Sequence, residues 1–82
     1  MNKIKNKIKH VMSLVFKVDI SELPDNCSFG DFVRWDSLGH MNLIVALEEE
    51  FNITFSDDDV LDMLNIDLIY NIILSKNNQS ME

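Results

Sequence analysis

Apolar residues recur every three or four positions near the start of the chain: Ile4, Ile8, Val11, Met12 and Val15, with lysines in the gaps. That is the period of an amphipathic helix. It predicts one over residues 2–17, with Lys3, Lys5, Lys7 and Lys9 on a solvated face. From residue 18 to 36 the period is lost among Pro24, Gly30 and scattered Asp, Asn and Ser. A loop of this length in a compact domain is usually functional or disordered. Leu23, Phe29, Phe32 and Val33 are candidates to pin it to a core, which favours an ordered loop. The period returns at Asp36 or Ser37, and Leu38, Met41, Ile44, Val45 and Leu47 predict the apolar stripe of a second helix. Glu48, Glu49 and Glu50 crowd its last turns, against the helix dipole. After a short link, Phe51 to Phe55, Ser56 is the expected N-cap of a short third helix. Asp57, Asp58 and Asp59 fall in its first turn, where the dipole favours them. Val60, Leu61, Met63 and Leu64 form its apolar side. A last helix from about Asp67 to Ser75 turns Leu68, Ile69, Ile72 and Ile73 inward. No strand alternation or internal repeat is present. The expected fold is all-α: a four-helix bundle of three longer helices and one short third helix, with a long first loop. It forms one domain over residues 1–76, and the polar end over residues 77–82 is expected to fray.

Composition narrows the class. The chain has 82 residues, enough for one domain with a modest core. Its one cysteine, Cys27, excludes an internal disulfide and a thiolate metal cluster, and reads as a packing residue or a bystander. No apolar run approaches the length of a membrane span. The basic start is spaced helically and lacks a signal core, so a cytoplasmic monomer is the default expectation. Net charge is −7 and unevenly spread: four lysines cluster at the start, and after Arg34 only Lys76 opposes the carboxylates. Such a surface repels nucleic acid and anionic membranes and favours basic protein partners. Taken alone, it is equally a device for solubility.

The informative stretch is RWDSLGHMNLIVALEEEF, residues 34–51. In isolation, Ser37 between a loop and an apolar periodic run reads as a helix cap. His40, three residues on, reads as a surface residue with a neutral ring that could touch a phosphate or a partner. Trp35 reads as an anchor at the loop end. A serine hydrolase is excluded: the nucleophile elbow is missing and the chain is too short for its sheet. The acidic run at Asp57–Asp59 is not a calcium loop, because Leu61 and Asp62 occupy a ligand position and the central glycine position.

Register adds what the tripeptide Asp-Ser-Leu lacks. It opens a long helix ending in LEEEF, then NITFSDDD, a short helix and a final apolar helix. That order, over nearly the full chain from the first helix to Ile73, resembles the acyl carrier protein family. The resemblance implies a non-catalytic carrier. A phosphopantetheinyl transferase would attach 4′-phosphopantetheine from coenzyme A to Ser37, with Asp36 contacting basic residues of that enzyme as well as capping the helix. A phosphodiester there would sit at a helix N-terminus, where free N–H groups and the dipole favour an anion. By the same resemblance, Met41 and Val45 match a small apolar patch, and Glu48 and Glu49 an acidic face, gripped by acyl-transferring or acyl-activating enzymes with basic docking patches. Read from the residues alone, Met41 and Val45 serve equally well as core.

The chain also departs from the family pattern. Gly39 and Asn42 stand where primary fatty acid carriers have acids, and Trp35 where they have a smaller residue. Gly39 lowers helix propensity by about 1 kcal/mol relative to Ala, which would loosen the helix start or admit a partner's backbone. These departures imply a specialised carrier for a lipid, polysaccharide or secondary-metabolite pathway. Two alternatives stay open: an aminoacyl or D-alanyl carrier, and an unmodified interaction module of the same fold. The aliphatic positions Ile44, Leu47, Ile69 and Ile72 are compatible with a lipid chain held inside.

Overall fold

The computed structural model describes residues 3–31 and 33–80, with side chains as far as Lys76. Among the described residues there are four α-helices and one short 3-10 turn: α1 Lys3–Phe16, the turn Ile20–Glu22, α2 Ser37–Phe51, α3 Asp57–Asp62 and α4 Ile66–Ser80. The helix α1 buries Ile8, Val11, Met12 and Phe16 and half-buries Ile4 and Val15. Opposite them lie Leu43, Ile44 and Leu47 of α2 and Ile66, Ile69 and Ile73 of α4. Leu23, Cys27, Trp35, Phe55 and Met63 complete the core from the connecting segments. Burial of a large aliphatic side chain contributes about 1.5–3 kcal/mol, so this set is what holds a chain of this size folded.

Helix ends follow local chemistry. Both α1 and α2 close with a non-glycine residue in the left-handed region, Lys17 at φ 58° and Asn52 at φ 55°. In each case a following N–H returns to the last turn: Val18 to the Ser13 carbonyl and Ile53 to the Glu48 carbonyl, both at 3.2 Å. Ser56 caps α3 as expected, through a reciprocal pair. Its Oγ accepts from the Asp59 N–H at 3.1 Å, and Asp59 Oδ2 accepts from the Ser56 N–H at 3.0 Å.

Several expectations are corrected. The lysines of α1 do not simply face water. Lys5 Nζ lies 2.7 Å from Asp67 of α4, Lys7 3.3 Å from Glu50 of α2, and Lys9 3.6 Å from Asp25 of the loop. One helix thus meets acids from three other segments. The hydrogen bond that Lys5 donates to Asp67, with that carboxylate's charge, raises the Lys5 ammonium above its ordinary range. Leu68 is exposed, although Ile69 and Ile73 are buried as expected. Leu61 of α3 and Leu64 just beyond its end face outward, while Met63 between them in sequence is buried. Helix α4 starts at Ile66 and continues past Ser75 to Ser80, since no Gly or Pro interrupts Lys76 to Ser80. Met81 and Glu82 of the expected frayed end lie outside the described residues.

The described part of the long loop packs against the core, though its anchors differ from those expected. Leu23 is buried, Phe29 is partly exposed, Val33 is fully out, and Phe32 lies outside the described residues. Cys27 and Trp35 do the burying instead. Backbone bonds stitch the loop to the α3–α4 junction. The Phe29 N–H donates to the Leu64 carbonyl at 2.8 Å, and the Ile66 N–H to the Cys27 carbonyl at 3.1 Å. Asn26 Oδ1 accepts from the Asp67 N–H at 3.0 Å. A periodicity argument sees side chains and cannot see such bonds.

Candidate functional site

The loop delivers the chain to α2 at Asp36. This residue is extended, and its Oδ1 accepts from the Gly39 N–H at 2.9 Å, which makes it the N-cap. Its carbonyl accepts the first helical bond, from the His40 N–H at 2.7 Å. Ser37 is then the first residue of the helix and is exposed. The capping role therefore belongs to Asp36, and the Ser37 hydroxyl is left open to solvent. The amides of Ser37 and Leu38 belong to the first turn, where no intrahelical acceptor exists.

Gly39 does not leave this turn loose, and it does not admit a partner. It is buried, and a Cβ there would run into the backbone carbonyl of Arg34. The loop crosses the helix so closely that only glycine fits.

His40 is not on the surface either. It is only 7% exposed, with both ring nitrogens bonded. The Trp35 indole N–H donates to Nδ1 at 3.1 Å, and Nε2 lies 2.9 Å from the Val60 carbonyl in α3. An indole nitrogen only donates, so Nδ1 accepts and Nε2 carries the hydrogen. The imidazole lies nearly parallel to the Trp35 ring, at 20° and 6.3 Å between centroids. It meets the Phe29 ring edge-on at 5.6 Å. Trp35 is fully buried and stacks on Phe16 of α1 at 5.6 Å, which confirms it as the anchor at the loop end.

The second helix carries two apolar faces. Gly39, His40, Leu43, Ile44 and Leu47 are buried, whereas Leu38, Met41 and Val45 are 72%, 51% and 52% exposed. The expected single stripe is therefore split, because positions 38, 41 and 45 lie on the side of the helix away from the core positions 40, 43, 44 and 47. The reading of Met41 and Val45 as core is overturned. Glu49 is exposed on the same side. Glu48 is half-buried, and its Oε2 accepts from the Phe55 N–H at 2.9 Å, so it also fastens the link to α3.

Beside Ser37, between α2 and α3, runs an apolar groove of about 290 Å³, lined by Phe29, Ser37, His40, Met41, Val60, Leu61 and Leu64. A larger hollow of about 620 Å³ lies between the end of α1 and the 3-10 turn, but its lining includes His10, Lys17, Asp19 and Glu22, and it lies apart from Ser37. The groove at Ser37 has walls that suit an apolar ligand. The sequence offered a faint signal for it: Val60, Leu61, Met63 and Leu64 crowd four apolar side chains into five positions in and just after a very short helix. Nothing in the sequence pointed to the Trp35–His40–Val60 link. Cys27 is fully buried, and burial pushes its thiol above its ordinary range, as expected of a packing residue.

Comparison with known proteins bears directly on this geometry. The family model described as "Phosphopantetheine attachment site" matches residues 6–73. A curated relative, the acyl carrier protein of Buchnera aphidicola subsp. Schizaphis graminum, is 35% identical over 77 residues, covering 94% of this chain and 98% of the relative. The chain belongs to the acyl carrier protein family. Acyl carrier proteins are non-catalytic carriers with covalently attached 4′-phosphopantetheine, and the all-helical bundle agrees with that. The start of α2 fits the group: an exposed hydroxyl on the first helical residue, free first-turn amides, and an apolar groove alongside. No helix among the described residues is long and apolar enough to cross a membrane.

Proposed function

We propose that Ser37 is the attachment point of the arm and that a phosphopantetheinyl transferase installs it from coenzyme A. The observation that carries this reading is the exposure of Ser37 at the first position of α2, with capping assigned to Asp36 instead. The arm supplies a thiol that holds an acyl group as a reactive thioester. The protein's own residues do the rest. The first-turn amides and the positive end of the α2 dipole stabilise a phosphodiester on Ser37. The groove of Phe29, Met41, Val60, Leu61 and Leu64 shelters apolar cargo, which supports an acyl group over an aminoacyl one. Leu38, Met41 and Val45, with Glu48 and Glu49 near them, form the face offered to acyl-transferring enzymes with basic docking patches, as Asp36 does to the transferase. The carrier works as a monomer in the cytoplasm, in a dedicated lipid, polysaccharide or secondary-metabolite pathway; Gly39 and Asn42 in place of acids support that specialisation.

The test is intact mass after incubation with coenzyme A, magnesium and a broad-specificity phosphopantetheinyl transferase. A gain of one phosphopantetheine, absent in Ser37→Ala, is the expected result. A gain that persists in Ser37→Ala moves the site elsewhere, and no gain in the folded protein favours an unmodified interaction module.

A further inference from the structure

We propose that His40 is a positioning residue: through Nε2–H it holds the end of α3 against α2, and so sets the width of the groove beside Ser37. The helix α3 cannot hold itself. It has only the six residues Asp57–Asp62, none of them buried, far below the length at which an isolated helix is stable. Buried Phe55 and Met63 flank it, the Phe29 N–H donates to the Leu64 carbonyl just beyond it, and a few directed bonds fix the helix itself. At its start, Ser56 and Asp59 cap one another, and Asp59 pairs with Lys76 of α4 at 2.7 Å. Toward its end, the Val60 carbonyl would face only the long 3.4 Å contact from the Met63 N–H; the His40 ring supplies the short bond, at 2.9 Å.

His40 is itself held rigidly. Trp35 saturates Nδ1, and that indole is locked in the core against Phe16. Phe29 covers the ring edge-on. The imidazole thus acts as a spacer of defined length between a fully buried tryptophan and a marginal helix. An apolar side chain of similar volume would fill the space without fixing α3. Val60 and Leu61 of α3, and Leu64 just after it, form one wall of the groove, while Ser37 and Met41 form the other. Release of Val60 would let that wall move, exposing whatever lies beside Ser37 to water. The cargo consequence rests on the carrier reading above; the placement of α3 does not.

Two conservative variants separate the two ring nitrogens. His40→Gln puts an amide N–H about where Nε2–H stands, keeping the bond to Val60 and losing the one to Trp35. His40→Asn keeps an acceptor near Nδ1 and loses the bond to Val60. Two quantities are measured in each: amide hydrogen exchange of Leu61, Asp62 and Met63 in the unmodified protein, and the hydrolysis half-life of an eight-carbon thioester on the loaded protein. The expected result is exchange about tenfold faster in His40→Asn, the scale of one lost buried hydrogen bond, and near the wild-type rate in His40→Gln. The thioester half-life should shorten in the same order. Equal behaviour of the two variants, whether both match wild type or both lose protection, overturns the proposal, as does loss in His40→Gln alone. Intact mass after loading is a separate check. If no variant accepts the arm, the carrier reading fails, and the exchange rates still decide the role of His40.

Discussion

Gly39 shows how a single residue's contribution can run against its propensity. Alanine at a helix position normally stabilises by about 1 kcal/mol relative to glycine. Here the added methyl meets the Arg34 carbonyl, a backbone group that cannot swing aside. Gly39→Ala is therefore expected to destabilise by about 1–3 kcal/mol, read from urea unfolding midpoints. An increase in stability would show that the loop can retreat. Trp35 is the other residue on which the site depends, and Trp35→Ala should cost about 3–5 kcal/mol by the same measurement. The start of α2 at Asp36 and Ser37 was legible in the sequence because it is local, although Ser37 read in isolation is the cap and the structure gives that role to Asp36. His40 was not. Its role depends on Trp35 and Val60 meeting it from two other segments, and no spacing rule on one helix encodes that.

At the scale of elements, the bonds that matter are those holding α3. The hydrogen bond from Lys76, reinforced by the Ser56 cap, keeps the Asp59 carboxyl below its ordinary range. The folded value is then below the unfolded one, about 3.9 for a free Asp side chain. The contribution of Asp59 is present above that unfolded value and is lost as pH falls through the folded value. Asp59→Asn, which removes the charge and weakens the cap, should lower the melting temperature at neutral pH. The gap between variant and wild type should close as pH drops below about 4. A gap that stays constant through that range would show that the ion pair contributes nothing. The helices themselves were readable from periodicity, and the Ser56 cap from its acidic first turn. The inward face of α2 was not, because that helix is apolar on two sides. Burial of Leu43 beside Ile44 and Leu47, with Leu38, Met41 and Val45 left out, is a choice made by packing against α1.

For the molecule as a whole, α1, α2 and α4 form one core with the buried loop residues Leu23, Cys27 and Trp35, and α3 is fastened to it by a few directed bonds. Cys27 sits inside that core with its thiol pushed up by burial, so it should resist alkylation by iodoacetamide in the native protein. Its labelling rate then reports opening, and should rise steeply near the unfolding midpoint and not before. Early labelling would mean that the loop detaches on its own. Fold class and helix order were visible in the sequence because a chain of this length has few ways to bury four amphipathic segments, whereas the stitching of the loop to the α3–α4 junction runs through backbone groups common to every residue. The close crossing of Arg34 over Gly39 has a consequence for engineering. Grafting a recognition helix from another carrier into this scaffold, with an acid in place of Gly39, would drive a side chain into the incoming loop. The loop end from Arg34 and the first turn of α2 form one transplantable cassette, to be exchanged together or left alone.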